Sequence, residues 1–97
     1  MKYALRLYIT GRTASSCLAI ENLKLLCEQR LKGEHELDII DVLENPELAE
    51  QDKVMATPTL IRRYPTQIRK IIGDLSDKHK VLIGLDLNVG DTAIVKG

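Results

Sequence analysis

The feature that most constrains the fold of this chain is a strand, a helix and a second strand in direct succession. The stretch YALRLYIT at residues 3–10 alternates with a period of two, and its apolar face holds Tyr3, Leu5, Leu7 and Ile9. This period is typical of a β-strand, in which neighbouring side chains point to opposite sides. We therefore predict a first strand whose second face carries Arg6 and Tyr8.

An amphipathic helix and a second strand follow a turn at Gly11. Thr13 or Ser15 can cap the helix, and Gly33 can end it. An apolar stripe between these limits predicts about 16 residues of helix, through Ala19, Ile20, Leu23, Leu26 and Cys27. The next apolar run contains Leu37, Ile39, Ile40 and Val42. Because such a unit pairs its strands in parallel through a right-handed crossover, residues 1–44 predict a β-α-β half and an α/β fold.

Residues 45–72 predict a short helix and a hairpin. We predict Asn45 as the cap of this helix and Pro46 at its first position, where proline is favoured because its missing N–H is harmless. We predict that this helix ends near Lys53. Residues 59–62 and 68–72 are strand-like, and Tyr-Pro-Thr-Gln between them resembles a hairpin connection.

The stretch KVLIGLDLN at residues 80–88 fits either a helix or a strand. Gly84 costs a helix interior about 1 kcal/mol relative to alanine, and residues 85–87 alternate like a half-buried strand. Asp74 or Ser76 can cap a helix here. Periodicity alone leaves both structures open.

The order β-α-β-α-β-β-α is the thioredoxin arrangement. The stretch ATPTL fits it, because that fold carries a cis peptide just before its third strand. Only a bond that precedes proline adopts the cis form at low cost. We therefore predict Pro58 as the cis-proline.

A thioredoxin-fold redox or glutathione-binding enzyme is the alternative functional class. Such an enzyme carries a low-pKa thiolate at the N-terminus of the first helix, with a second cysteine three positions on. Residues 13–16 are instead Thr-Ala-Ser-Ser, and Cys17 falls one position beyond the second cysteine. Cys17 and Cys27 are ten residues apart on one predicted helix, or about 15 Å, which exceeds disulfide reach. We expect reduced packing residues and no catalytic residue.

Composition argues against several kinds of partner. The 97 residues carry no net charge and are only 3% aromatic, which offers nucleic acid neither a general attraction nor a stacking platform. No apolar run reaches the roughly 20 residues of a membrane span, and the N-terminus lacks a signal peptide's continuous apolar core. We expect a cytoplasmic protein that binds neither nucleic acid nor membrane.

No pattern indicates a metal or a cofactor. His35 and His79 lack metal-ligating neighbours at the spacing of a zinc site. The stretch TGRT lacks the GxxxxGKS or GxxxxGKT pattern of a phosphate-binding loop. We predict no metal site and no cofactor, and a protein that acts by binding.

The charges form two blocks along the chain. Residues 34–52 contain eight acids and no Lys or Arg, whereas residues 53–70 contain five basic residues and no acid. The blocks are either two solvated faces or a polar protein interface.

The stretches LRLYITGRT, IDVLENPELAEQDKVMATPTLIRRYP and IRKIIGDLSDKHKVLIGLDL resemble the KaiB family, small clock proteins that bind the hexameric ATPase KaiC. The resemblance covers residues 3–87, and the last stretch is its most specific part. It implies a non-enzymatic regulatory protein that binds a KaiC-like ATPase and modulates its phosphorylation state or activity.

The resemblance also implies two folds for one chain. KaiB proteins rest as tetramers of order β-α-β-β-α-α-β, and a rarer thioredoxin-like monomer binds KaiC. Residues 45–88 would be the half that switches, followed by a short tail at residues 89–97. The switch-sensitive positions of the family correspond to Tyr3, Ile83, Gly84 and Asp86. A mixed preference for helix and strand in residues 80–88 would keep the free-energy difference between the two folds to a few kcal/mol.

The partners that the resemblance implies are a KaiC-like ATPase, KaiA or a KaiB-competing histidine kinase, and further copies of the chain in a resting tetramer or dimer. Because the family's KaiC contacts draw on the switching half, we predict that Lys53, Arg69 and Lys70 bind an acidic patch of the partner. The chain departs from the family at Val89, in the few prolines of residues 65–68 and in its tail, which lacks the usual acids. It therefore resembles a divergent member.

Overall fold

The computed structural model describes residues 3–31, 35–64 and 68–85. Its strands are β1 (Tyr3–Ile9), β2 (His35–Asp41), β3 (Thr59–Tyr64) and β4 (Arg69–Ile72). Its helices are α1 (Ala14–Leu26), α2 (Pro46–Gln51) and α3 (Lys78–Gly84), and a π-helical turn (Cys27–Leu31) continues α1.

The four strands form one mixed sheet of order β2-β1-β3-β4. β1 pairs in parallel with β2, and the antiparallel pairs are β1 with β3 and β3 with β4. The predicted β-α-β unit, the hairpin and the thioredoxin-like order are therefore confirmed. The alternative order β-α-β-β-α-α-β is not the arrangement of this structure, and it stays a prediction for a second state.

The main core lies on one face of the sheet, between β1 and the helices α1 and α3. Leu5 and Leu7 of β1 pack there against Leu23 of α1 and against Val81 and Leu85 at α3. Burial of such aliphatic side chains is the main stabilising contribution. The shorter helix α2 lies on the opposite face, where the Tyr8 hydroxyl is 3.0 Å from the Leu48 carbonyl.

Thr13, one of the two predicted caps, caps the N-terminus of α1. The Thr13 hydroxyl accepts a hydrogen bond from the Ser16 amide, whereas Ser15 lies inside the helix. The α-helix ends earlier than predicted, at Leu26, and the π-helical turn carries Cys27 and Leu31 into the core. Gly33 lies outside the described residues.

The predicted short helix begins at Pro46 and ends at Gln51, although the Asn45 side chain makes no capping hydrogen bond. Lys53 then adopts a left-handed backbone with φ 56°, which is costly for a residue with a side chain. The Thr57–Pro58 peptide is cis, as the ATPTL stretch predicts. Residues 65–67 of the predicted hairpin connection lie outside the described residues.

The ambiguous stretch at residues 80–88 is helical as far as Gly84. Its predicted caps are wrong, because the Asp77 carboxylate accepts from the Lys80 amide and so caps α3. Asp74 instead bonds to the Ser76 amide in the preceding turn, where Leu75 has φ 65°. Residues 86–97, which include Asp86, Val89 and the predicted tail, lie outside the described residues.

The two cysteines differ in their surroundings. Cys27 is buried and packs in the core as predicted. The prediction that Cys17 is also a packing residue is wrong, because the α1 surface at this position faces solvent.

Candidate functional site

The face of the sheet that carries α2 also carries a group of charged side chains that the structure brings together. Arg6 and Tyr8 of β1 project from this face, as the alternation of β1 requires. Arg63 of β3 projects from the same face, because it is two residues beyond Ile61, the partner of Arg6. These side chains converge on Asp52, the residue that follows α2.

Asp52 accepts hydrogen bonds from three side chains. Its Oδ2 lies 2.6 Å from the Tyr8 hydroxyl and 3.0 Å from Arg6 Nη1, and its Oδ1 lies 2.9 Å from Arg63 Nη1. The Tyr8 hydroxyl has a single proton, which goes to the ionised carboxylate at the shorter distance, since charge-assisted bonds are the stronger ones. We call Asp52 with these three donors the Asp52 cluster.

The electrostatics of the cluster favour an ionised Asp52. Burial by itself raises the pKa of Asp52, but the hydrogen bonds from Tyr8, Arg6 and Arg63 outweigh it and hold the pKa below its usual value. Burial, followed by the hydrogen bond to Asp52, raises the pKa of the Tyr8 hydroxyl. For Arg6, burial acts to lower the pKa, but bonds to Tyr8 and Asp52 raise it overall. The cluster is therefore a charged carboxylate held by protonated donors at neutral pH.

Two of the predicted partner-binding residues lie beside this cluster. Lys70 Nζ donates to the main-chain carbonyl of Asp52 at 2.6 Å and lies 3.5 Å from that of Lys53. The Lys53 side chain is exposed at the end of α2. The structure thus brings Lys53 and Lys70 together on the α2 face.

Arg69 is separated from these two lysines. In the strand register, Arg69 of β4 lies opposite Arg62 of β3, and Arg62 lies opposite Leu5 of β1 on the core face of the sheet. Lys70 is the next residue of the same strand and therefore points to the other face. One contiguous contact on the α2 face can include Lys53 and Lys70 but leaves Arg69 on the opposite side.

A cavity of about 210 Å³ opens beside the Asp52 cluster. Its wall includes the cationic side chains Lys53, Arg63 and Lys70 and the apolar side chains Ile61 and Ile68. Arg63 is 40% exposed, so its guanidinium can contact a further acceptor besides Asp52. We call Lys53, Arg63 and Lys70 the basic cluster. Its chemistry fits an acidic side chain with an apolar neighbour.

Sequence reasoning missed the Asp52 cluster and Arg63. The signal that was present is the pair Arg6 and Tyr8 on the second face of the first predicted strand. A cation on such a strand needs an anionic partner when it is buried. The sequence does not indicate which of the eight acids in residues 34–52 supplies it.

The structure describes three of the four predicted switch positions, and their surroundings differ. Tyr3 is buried at the start of β1, whereas Ile83 is exposed on α3. Gly84 lies against Ile71 of β4. Asp86 lies outside the described residues.

The place that holds the dithiol in a thioredoxin enzyme contains hydroxyl groups in this chain. Thr13 donates to the buried Ser16 hydroxyl at 2.8 Å, and Thr10 and Thr57 are in hydrogen-bond contact. Burial raises the pKa of the Cys27 thiol to about 11. Cys27 is thus unsuited to act as a thiolate partner for the exposed Cys17.

In residues 3–31, 35–64 and 68–85, no group of three or more His, Cys, Asp or Glu side chains is placed to hold a metal ion. Within the same ranges, no helix has the length and apolarity to span a bilayer.

A family model described as the KaiB domain matches residues 6–87. A protein named circadian clock oscillator protein KaiB from Gloeothece citriformis is 56% identical over 85 residues, which cover 88% of this chain and 80% of that protein. The Synechocystis protein named circadian clock oscillator protein KaiB1 is also 56% identical, with 88% of this chain and 81% of that protein covered.

Solved structures show the fold at lower sequence identity. The N-terminal domain of Synechococcus elongatus SasA has a TM-score of 0.72 at 22% identity and covers 95% of this chain and 90% of that domain. Oxidised mitochondrial thioredoxin 3 from Saccharomyces cerevisiae has a TM-score of 0.71 at 20% identity, with 88% of this chain and 77% of that chain covered. These likenesses establish a thioredoxin-like fold.

Proposed function

The chain belongs to the KaiB family, and from this premise we propose that it is a regulatory protein that binds a KaiC-like hexameric ATPase. Binding would modulate the phosphorylation state or the activity of the ATPase. The observation that carries the proposal is the basic cluster, which lines a cavity on the α2 face of a thioredoxin-like fold. The family resemblance supports the ATPase as the partner, and the cluster supports an acidic patch as the surface contacted.

Electrostatic attraction to the partner would come from the basic cluster and not from the net charge of the chain. The chain as a whole has no net charge, so long-range attraction to an acidic partner is weak. Lys53 and Lys70 line the same cavity, so both can contact one acidic patch. Charges at the rim of an interface mainly raise the association rate, and salt screens their effect.

Binding kinetics with the cognate KaiC-like ATPase test the proposal. Lys53→Glu reverses an exposed charge of the basic cluster, whereas Lys24→Glu makes the same change on the exposed side of α1. We expect Lys53→Glu to slow association, with a difference from wild type that grows as salt concentration falls. Lys24→Glu should associate like wild type. Equal rates for all three proteins would remove Lys53 from the site, and no binding by wild type would refute the proposed function.

The second part of the proposal concerns states of the chain. Residues 45–88 would refold between a resting oligomer, a tetramer or dimer, and the thioredoxin-like monomer that binds the partner. Residues 1–44 would keep their β-α-β structure, and Asp86 would act in the switching half. Because an assembled state is favoured by mass action, dilution should increase the monomer fraction. Light scattering that found only monomer at high concentration would refute the resting oligomer.

Further partners belong to the same proposal. KaiA and a KaiB-competing histidine kinase are the candidates that the family resemblance implies. The fold shared with the SasA N-terminal domain supports a search for a competitor of this shape. A competitor would reduce the amount of this chain bound to the ATPase in proportion to its own occupancy. The cytoplasm is the compartment that we propose for these contacts.

The redox alternative is tested separately. A thioredoxin-fold reductase would reduce a protein disulfide such as that of insulin in the presence of dithiothreitol, and Cys17→Ser would abolish the activity. We expect no reduction above the dithiothreitol background for wild type. Turnover that depends on Cys17 would establish a redox activity instead.

A further inference from the structure

Helix α2 has little apolar attachment to the rest of the fold. It has six residues, and none of them is buried. A helix of this length does not form in water on its own, because nucleation costs more than the few hydrogen bonds return. Its N-cap residue Asn45 makes no side-chain capping bond either. Leu48 and Ala49 are half-buried, so polar contacts with the sheet add to a limited apolar contact in positioning α2.

Those polar contacts are concentrated at Asp52. Its carboxylate joins the end of α2 to Arg6 and Tyr8 of β1 and to Arg63 of β3. Its main-chain carbonyl accepts from Lys70 of β4. One residue thus connects α2 to three strands, and two of the residues that it holds belong to the basic cluster.

We propose that Asp52 is the positioning residue of the partner-binding site: it fastens α2 to the sheet and orders Arg63 and Lys70 beside the cavity. For its consequence in binding, this inference rests on the proposed function. The attachment of α2 to the sheet by Asp52 does not rest on the proposed function, and it can be measured without a partner.

Asp52 and Arg6 are both shielded from solvent, so each depends on the other as its charged partner. The Asp52 side chain is 15% exposed and the Arg6 side chain 20%, so neither is fully hydrated if the other is removed. A buried charge that loses its partner keeps its desolvation cost. Removal of the Asp52 carboxylate therefore leaves Arg6 with an uncompensated desolvation cost, and loss of the contact releases the end of α2.

Asp38 offers a matched control. Its carboxylate lies 3.8 Å from Arg6 Nη2, and the side chain is 69% exposed. Asp38→Asn also removes a carboxylate charge that lies within 4 Å of Arg6, but this charge is on strand β2 and is exposed to solvent. An exposed ion pair of this kind contributes little to stability.

Amide hydrogen exchange of the wild-type chain and of Asp52→Asn, Asp38→Asn and Tyr8→Phe tests the inference. The reporter is the Val54 amide, which donates to the Ala49 carbonyl at 2.9 Å and so closes the end of α2. The reference is the amide of Leu7, in the centre of the sheet. We expect Asp52→Asn to accelerate Val54 exchange by about tenfold or more relative to Leu7, because charge-assisted bonds are lost. Tyr8→Phe should act in the same direction with a smaller factor, and Asp38→Asn should leave the ratio unchanged.

Two results would overturn the inference. One is an equal acceleration of Val54 and Leu7 in Asp52→Asn, which would make Asp52 a contributor to global stability only. The other is an unchanged Val54 rate in both Asp52→Asn and Tyr8→Phe. If Val54 exchange behaves as expected but the wild-type chain does not bind the ATPase, the proposed function fails and the role of Asp52 in α2 stands. If wild type binds, Asp52→Asn should associate more slowly than Asp38→Asn.

Discussion

Gly84 of α3 lies so close to Ile71 of β4 that a methyl group at Gly84 would overlap the Ile71 Cδ1 atom. The same added Cβ would lie 3.2 Å from Ile71 Cγ1. Gly84 therefore allows α3 to approach β4, and it does more than weaken the helix. From the sequence alone, Gly84→Ala is expected to favour the helical, thioredoxin-like state. The contact with Ile71 opposes that gain.

The first prediction concerns this opposition. We expect Gly84→Ala to raise the free energy of unfolding by less than the about 1 kcal/mol that alanine contributes to a helix interior. The gain is smaller because Ile71 must move to make room for the methyl group. Ile71→Val removes Cδ1 and costs about 0.5–1.5 kcal/mol by itself. The double variant should be more stable than the sum of the two single changes. Urea unfolding of the four proteins measures this coupling, and additivity within about 0.5 kcal/mol would contradict it.

The second prediction concerns the backbone of Lys53. Its φ of 56° lies in the left-handed region, which costs residues with a Cβ roughly 1–2 kcal/mol and costs glycine nothing comparable. Lys53→Gly should therefore be more stable than Lys53→Ala by about 1 kcal/mol. Both variants lose the same charge, so urea unfolding isolates the backbone effect. Equal stabilities would mean that residue 53 is not left-handed in solution.

The third prediction is a pH dependence. The pKa of Asp52 is lower in the folded chain than its usual value, so its contribution to stability is present above about pH 3.9 and is lost as pH falls through the folded-state pKa. Charged and titratable groups that face it are Arg6, Tyr8, Arg63 and Lys70.

Urea unfolding across this pH range measures the effect. The stability difference between wild type and Asp52→Asn should shrink as the solution becomes more acidic, because asparagine has no proton to gain. The difference between wild type and Asp38→Asn should depend less on pH. A wild-type advantage over Asp52→Asn that stayed constant down to the lowest pH would contradict an ionised Asp52.

The fourth prediction concerns the thiols. Cys17 is exposed, and burial raises the pKa of Cys27 to about 11. A thiol reagent should therefore label one cysteine rapidly in the native chain and both after denaturation. In Cys17→Ser, rapid labelling should be absent until the chain unfolds. Rapid native labelling of that variant would show that Cys27 is accessible.

Local pattern was sufficient for most elements. The period-two alternation from Tyr3 to Ile9, the Pro46 helix start and the strand-like residues 59–62 and 68–72 each predict an element that the structure has. The alternation of β4 also separates Arg69 from Lys70, a consequence that follows from the sequence once the strand is accepted. These features are determined by neighbours in the chain.

The tertiary structure decided what depends on residues distant in sequence. Residues 80–84 have mixed preference, and they are helical here because Val81 and Leu85 enter the core while Gly84 fits over Ile71. The cap of α3 is Asp77, which directly precedes the first helical residue, whereas Asp74 accepts from the Ser76 amide in the preceding turn. Asp52 meets Tyr8 and Arg6 across 44 and 46 residues of chain. No local period encodes such a contact, because the partners of a buried charge are set by the folding of the sheet.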